Sequence, residues 1–325
     1  MMTRLNLTGK LAIAMILAAA GCRQAVPAAS PAASAAVPKT MSVSSEYRVE
    51  RDLPYYPAGF QISGDADYAA ERCKLDIYMP NNIKEPLPVL IFFHGGGLSR
   101  GNKSFPRGHL GLPADIIIVT PNYRLSGPRA KCPDYLNDAA AAAAWTIRNI
   151  GKYGGDPEKV FVSGHSAGGY LSAMIGLDPR WMKGHGLDPR KCFAGVLPVS
   201  GQMSTHFRIM IERGQAGQTV IDEFAPIYHA SANTPPIVLF CGQSDIEFNA
   251  RVAENQFFHD VLTQLKKNRK TKIFQLNGFT HGLVVYPAAY LTRQEIKKIL
   301  LQKKTAEKSK IQKTAGARKK GKAAN

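Results

Sequence analysis

The residues best suited to covalent chemistry lie in the sequence GHSAGG at 164–169. A β-branched apolar run at 159–163 precedes this sequence, and a helical pattern at 167–175 follows it. A G-x-S-x-G turn between a strand and a helix lifts the serine hydroxyl above a sheet, and the helix N-terminus favours developing negative charge. We therefore predict Ser166 as a nucleophile. The same string recurs at 97–101, but glycines and prolines follow it, so we do not expect Ser99 to act in this way.

A second chemical feature is the sequence HGGG at 94–97, which follows an apolar run at 88–93. Consecutive glycines after a strand expose backbone N–H groups, and an oxyanion needs such donors about 3 Å away. A tight strand-to-loop turn would explain the glycines equally well if they stood alone. The strand, GHSAGG and helix some seventy residues later favour an oxyanion-binding loop.

Together these motifs resemble the esterase/lipase group of α/β-hydrolases, close to the hormone-sensitive-lipase-like and carbohydrate-esterase-like families, including feruloyl-esterase types. The resemblance runs from about Arg72 to Leu301. Its other motifs are NYR at 122–124, YGGDP at 153–157, an Asp after a late strand and a His before the last helix. The resemblance implies a Ser166, Asp245 and His281 triad. It also implies an oxyanion hole formed by the N–H groups of Gly96, Gly97 and Ala167.

Two positions leave parts of this site open. Asp245 lies three residues beyond Gly242, where the strand predicted at 237–241 ends, but Glu247 is a rival, because some α/β-hydrolases use Glu. We favour Asp245, since Glu247 lies nearer the next helix. Leu98 stands where many relatives carry Trp or Phe, which leaves the acyl side of the pocket undefined.

His206 and His229, in a polar segment at 201–234, are candidates for a lid or for substrate contact.

Apolar patterning predicts how these residues are positioned. Strands are expected at 74–79, 89–93, 116–120, 159–163, 194–199, 237–241 and 272–275. Helices are expected at 135–150, 167–175, 250–266 and 288–301. Apolar strands that alternate with helices indicate an α/β domain over 46–301, with a mostly parallel central sheet and helices on both faces.

The amino terminus has the order of an export signal over 1–22, with Arg4 and Lys10 before an apolar run at 11–20. Cys22 follows Ala-Ala-Gly, which resembles the lipobox of bacterial lipoproteins. In that case Cys22 would be acylated and would tether the protein to a membrane of the cell envelope, facing the periplasm or the exterior. Ala19 replaces the usual Leu, so ordinary cleavage and secretion remain open. The Ala/Pro/Ser-rich residues 23–45 are expected to form a disordered tether.

The chain has 325 residues and a net charge of +18, and its 45% apolar content excludes disorder throughout, a collagenous repeat or a disulfide miniprotein. Nine basic residues and one acid lie between 301 and 325, so 302–325 is expected to form a disordered, solvated, Lys-rich tail. Anionic envelope polymers or lipid are its expected partners, if it has any. A nucleic-acid partner is not expected, because aromatic residues do not interrupt the basic run.

Motifs for metals, dinucleotides and nucleotide phosphates are absent from the sequence, so we expect neither a metal nor a cofactor. Cys73, Cys132, Cys192 and Cys241 leave disulfide pairing open, and Cys241, at the end of an apolar strand, favours a buried thiol. The pattern predicts an exported serine esterase. The resemblance implies that its substrate is a short-acyl, small-molecule or carbohydrate ester, such as an acetyl or feruloyl ester. The alternatives are an aryl-formamidase-like amidase and a catalytically silent, envelope-binding lipoprotein.

Overall fold

The computed structural model describes residues 47–104 and 115–322. The predicted export signal at 1–22, including Cys22, and the tether at 23–45 lie outside the described residues. The strands in the described part are β1 (Tyr47–Pro54), β2 (Lys74–Pro80), β3 (Leu87–Phe93), β4 (Ile117–Pro121), β5 (Gly155–His165), β6 (Gly195–Val199), β7 (Ile237–Cys241) and β8 (Thr271–Gln275). The helices are α1 (Ala66–Arg72), α2 (Asp134–Asn149), α3 (Ala167–Leu177), α4 (Pro179–Lys183), α5 (Pro189–Cys192), α6 (Phe207–Glu212), α7 (Arg251–Asp260) and α8 (Val285–Lys322).

These strands form one sheet in the order β1-β2-β4-β3-β5-β6-β7-β8. The pairs β1–β2 and β2–β4 are antiparallel, and the strands from β4 to β8 are parallel to their neighbours. The predicted mostly parallel sheet is confirmed. The edge strand β1 was not predicted, because it is rich in charge and only partly buried, and so lacks the apolar run that marks the other strands.

Helices cover both faces of the sheet. On one face, alternate residues of β3 pack with α2 and α3, and the alanines of α2 let that helix lie close to the strands. On the other face, Leu90 and Phe92 of β3 pack with Val285, Ala288 and Ile296 of α8. Phe258 of α7 joins a third apolar cluster with α3 and β7. The parallel strands therefore end in a common edge between two layers of helix.

The carboxyl-terminal helix corrects one prediction. Residues 302–322 continue α8 as a helix, whereas the sequence indicated a disordered tail. The segment contains Ala, Lys, Gln and Glu and no Pro, and such residues favour a helix even without an apolar face. Side chains from 301 to 309 are exposed, in agreement with the predicted solvation. In the described part of the chain, no helix is long and apolar enough to cross a membrane.

Candidate active site

Ser166 occupies the sharp turn between β5 and α3. Its backbone has φ +56° and ψ −115°, a conformation that L-residues rarely adopt and that costs about 1–3 kcal/mol. Its N–H donates a 2.8 Å hydrogen bond to the carbonyl oxygen of Val199 at the end of β6. A Cβ on Gly168 would lie 2.0 Å from the carbonyl oxygen of Phe93, so only glycine allows α3 to approach β3 this closely. The predicted strand, turn and helix around Ser166 are present.

His281 lies beside Ser166. Its Nε2 is 2.8 Å from the Ser166 Oγ, although 115 residues separate the two in the chain. The loop between β8 and α8 that carries His281 is anchored by His165, whose Nε2 lies 2.7 Å from the carbonyl oxygen of His281. Burial, and then the nearby His281, lower the pKa of His165 to about 4. A neutral His165 can therefore donate to this carbonyl near pH 7.

Glu247, and not Asp245, contacts the other nitrogen of this imidazole. Its Oε1 accepts a short hydrogen bond from Nδ1 of His281. Asp245 is exposed, and its carboxylate accepts a 2.7 Å hydrogen bond from the Gln243 side chain. The sequence-based choice of Asp245 is corrected by this geometry.

The local backbone explains this correction. After β7 the chain makes a single helical turn, closed by a 2.8 Å hydrogen bond from the N–H of Glu247 to the carbonyl oxygen of Gln243. A turn of this length brings its first and fifth residues to the same side. Asp245 lies in the middle of the turn and faces solvent, whereas Glu247 returns to the sheet edge. The sequence-based argument assumed that the chain would turn back sooner.

The Glu247 carboxylate is buried and held at both oxygens. Oε2 accepts hydrogen bonds of 2.8 Å from the Ser200 hydroxyl and 3.1 Å from the N–H of Gly242, and Oε1 accepts one of 3.0 Å from the N–H of Phe248. Burial alone would raise the pKa of Glu247. The hydrogen bonds from His281, Ser200 and Phe248 and the nearby imidazole outweigh burial and lower this pKa to about 2. Glu247 is therefore ionised at neutral pH.

Ser200 and Arg251 were not identified from the sequence. Ser200 has φ +47°, which places its hydroxyl on Glu247, and its carbonyl oxygen accepts a 3.1 Å hydrogen bond from the buried Arg251. Ser200 directly follows β6, whose last residue, Val199, receives the Ser166 N–H. The only sequence signal for Ser200 was its position directly after a parallel strand. Polar residues are too common at such positions for this signal to identify one functional serine.

The glycine loop lies against the Ser166 turn. A Cβ on Gly95 would lie 3.3 Å from the Cβ of Ser166, and Gly96 and Gly97 have φ values of +107° and +62°. Within the part of the chain that the structure describes, no backbone carbonyl accepts a hydrogen bond from the N–H of Gly96, Gly97 or Ala167. Among the described residues these N–H groups are thus left for an external oxyanion, and their role stays a prediction.

Neighbouring side chains hold the glycine loop in place. Leu98 is fully buried, and the Ser99 hydroxyl accepts a 3.0 Å hydrogen bond from Arg208 of α6. No helix follows Ser99 in residues 99–104, so this second serine lacks the strand, turn and helix arrangement. The Tyr123 hydroxyl donates to the carbonyl oxygen of His94, and the two rings lie 4.3 Å apart. Tyr123, from the NYR motif, therefore supports the loop.

In the described part of the chain, neither His206 nor His229 hydrogen-bonds Ser166. His206 is buried, accepts the N–H of Arg208 at the start of α6, and has a pKa well below its ordinary value because of burial and then the nearby Arg251 and Arg208. His229 lies 2.9 Å from the carbonyl oxygen of Glu223. Their role in a lid or in substrate contact stays a prediction, and α6, within the polar segment, borders the glycine loop.

The four cysteines of the described region are free thiols, and Cys241 is buried as predicted. Burial raises the pKa of Cys241 to about 12, so this thiol is protonated.

Parts of this chain are similar to known proteins. The family model BD-FAE matches residues 75–188. The isoprenylcysteine alpha-carbonyl methylesterase ICME of Arabidopsis thaliana is 27% identical over 238 residues, which are 65% of this chain and 54% of the relative. The probable carboxylic ester hydrolase LipM of Mycobacterium tuberculosis is 32% identical over 203 residues, 55% of this chain and 46% of the relative. The chain thus spans about half the length of the curated relatives it matches.

Among solved structures, a truncated carbohydrate esterase from gut microbiota superposes with a TM-score of 0.64 and 17% identity, covering 79% of this chain and 98% of that chain. The chain has the α/β-hydrolase fold. Its similarity to the esterase group of that superfamily, which the motifs indicated, is confirmed.

Proposed function

We propose that this protein is a serine hydrolase that cleaves carboxylic esters through an acyl-enzyme. One observation carries the proposal: Ser166, His281 and Glu247 form a continuous chain of hydrogen bonds beside a glycine loop with available N–H groups. A nucleophile, a base and a group that orients the base are the parts that acyl transfer requires. The names of the relatives, a methylesterase and a carboxylic ester hydrolase, support the same reaction class.

In the first half-reaction, the Ser166 Oγ attacks the ester carbonyl carbon while Nε2 of His281 takes the Oγ proton. The carbonyl oxygen becomes negatively charged, and the N–H groups of Gly96, Gly97 and Ala167 stabilise it. The carbon–oxygen bond to the alcohol then breaks. The leaving alkoxide takes the proton from His281, which leaves an acyl-Ser166 ester. Ionised Glu247 holds the imidazole and stabilises its cationic form.

In the second half-reaction, water replaces the alcohol. His281 takes a proton from this water, the hydroxide attacks the acyl carbon, and the bond to the Ser166 Oγ breaks. The proton returns from His281 to Oγ, and the carboxylic acid leaves. No step needs a metal or a cofactor.

For the substrate we propose a short-acyl ester, with acetyl and feruloyl esters of carbohydrates as the first candidates. A matched panel separates these from the alternatives: p-nitrophenyl acetate, acetylated xylan, methyl ferulate and N-formylkynurenine. Turnover of an ester that is lost in Ser166→Ala and kept in Ser99→Ala supports the proposal. Turnover of N-formylkynurenine alone would instead favour the formamidase. A properly folded protein without any turnover would favour the silent lipoprotein.

We further propose that acylated Cys22 tethers the protein to a membrane of the cell envelope, facing the periplasm or the exterior. The order of charged, apolar and small residues at 1–22 supports this location. Metabolic palmitate label should enter the wild type and be lost in Cys22→Ser, with the protein moving to the soluble fraction. If the wild type and Cys22→Ser divide equally between the membrane and soluble fractions, ordinary secretion is favoured.

A further inference from the structure

The two sides of Ser166 differ in a way that bears on the substrate, if the proposed esterase function holds. On the side of the glycine loop, Phe207 at the start of α6 closes over Gly97. A Cβ on Gly97 would lie 3.1 Å from Cζ of Phe207, so the ring leaves little room for a side chain at this position of the loop. Leu98, the next residue of the loop, is fully buried and cannot line a pocket.

Phe207 is 42% exposed and is supported on one side by buried aromatic side chains. Its ring stacks on that of His206 at 4.5 Å, and His206 in turn lies 5.0 Å from Tyr170 of α3. His206 and Tyr170 are both buried. Arg208, the next residue, ties α6 to the glycine loop through Ser99. The ring of Phe207 therefore lies beside the oxyanion loop with buried aromatic side chains behind it, where it would meet a long acyl chain.

The side of His281 is open. The ring of Phe248 stacks on the imidazole with centroids 3.9 Å apart and planes at 17°, and 55% of Phe248 is exposed. Ile246 and Leu283, which lie close to Glu247 and His281 in the chain, are also exposed. His281 gives its proton to the leaving alkoxide, so the alcohol of the substrate must lie on this side. An exposed aromatic face and its apolar neighbours suit a large cyclic alcohol.

We infer that Phe207 limits the acyl group to a short one and that Phe248 is a platform for a bulky cyclic alcohol. The substrate class is then an acetyl-type ester of a sugar or aryl alcohol, and a feruloyl ester of a small alcohol is disfavoured. Both aromatic residues are specificity-determining, and neither takes part in proton transfer.

The acyl side is tested with p-nitrophenyl acetate, butyrate and octanoate, which share one alcohol. The wild type should prefer acetate, and Phe207→Ala should raise kcat/KM for octanoate relative to acetate by about tenfold or more, since each methylene accommodated in an apolar pocket has an effect of this order. Phe207→Leu should fall between the two. The matched control is Phe257→Ala, another exposed phenylalanine, on α7, which should keep the wild-type ratio. The ratio does not depend on how much of a variant is folded.

The alcohol side is tested with acetyl esters alone. Phe248→Ala should lower kcat/KM for naphthyl acetate and acetylated xylo-oligosaccharides relative to ethyl acetate, and should leave the acyl-length ratio unchanged. A wild type that prefers octanoate or methyl ferulate, or a Phe207→Ala variant with the wild-type ratio, would overturn the inference while the esterase function stands. Absence of any Ser166-dependent ester turnover would overturn both.

Discussion

Glu247 contacts Nδ1 of His281 with one carboxylate oxygen and is anchored to the sheet edge by the other. Ser200 and Gly242 hold the anchored oxygen, so the carboxylate cannot rotate without losing hydrogen bonds. The imidazole is thereby fixed with Nε2 toward Ser166. A single buried carboxylate thus fixes the direction in which His281 can move a proton.

The first prediction concerns this acid. Glu247→Gln should lower kcat by about 10⁴, because a neutral amide neither stabilises the imidazolium nor enforces the required tautomer. Asp245→Asn is the matched control, and it should leave kcat little changed because Asp245 faces solvent. Steady-state kinetics on p-nitrophenyl acetate measures both variants. A larger loss in Asp245→Asn than in Glu247→Gln would return the role to Asp245.

The second prediction concerns Ser200. Ser200→Ala removes a hydrogen bond to a buried charge and should lower kcat by about tenfold to a hundredfold, with little change in KM. The loss should appear equally in the rate at which a fluorophosphonate labels Ser166, since Ser200 acts through Glu247 and His281. Ser204→Ala, which removes another buried hydroxyl after β6, serves as the control. Equal rates for wild type and Ser200→Ala would show that Gly242 and Phe248 suffice to hold the acid.

The third prediction concerns pH and stability. The pKa of Glu247 is lowered from 4.5 to about 2 in the folded protein, so the unfolded chain binds more protons between these values. The stabilisation that ionised Glu247 gives is therefore fully present above its pKa in the unfolded chain. It is lost as the pH falls through its pKa in the folded protein. The Tm advantage of the wild type over Glu247→Gln should shrink between pH 5 and pH 3. The other acidic residues are the same in both proteins. Curves of Tm against pH that run parallel for the two proteins would therefore contradict the lowered pKa of Glu247.

The fourth prediction concerns the basic end of α8. Truncation after Gln302 should leave turnover of a small neutral ester unchanged, because side chains from 301 to 309 are exposed. The truncated protein should bind anionic polymers more weakly, and the difference should disappear at high salt. Sedimentation with heparin at two salt concentrations measures this. A truncated protein that unfolds would show that the segment packs on the domain.

The sequence predicts most of the framework because its buried parallel strands are continuous apolar runs. Strand β7 appears at the predicted bounds, and Ser166 and His281 meet as expected. The acid was mispredicted because its position depends on one helical turn after β7, which neighbouring residues of similar character do not specify. Ser200 and Phe207 act through contacts between segments distant in sequence. Such contacts follow from the packing of loops, for which the sequence has no periodic pattern.

The central claim is that Ser166 is the nucleophile, and covalent labelling tests it most directly. A fluorophosphonate should add one adduct to the wild type, which intact mass and peptide mapping place on Ser166. The label and ester turnover should both be lost in Ser166→Ala, while Ser99→Ala should retain both. A label on Ser99, or turnover that persists in folded Ser166→Ala, would contradict the account.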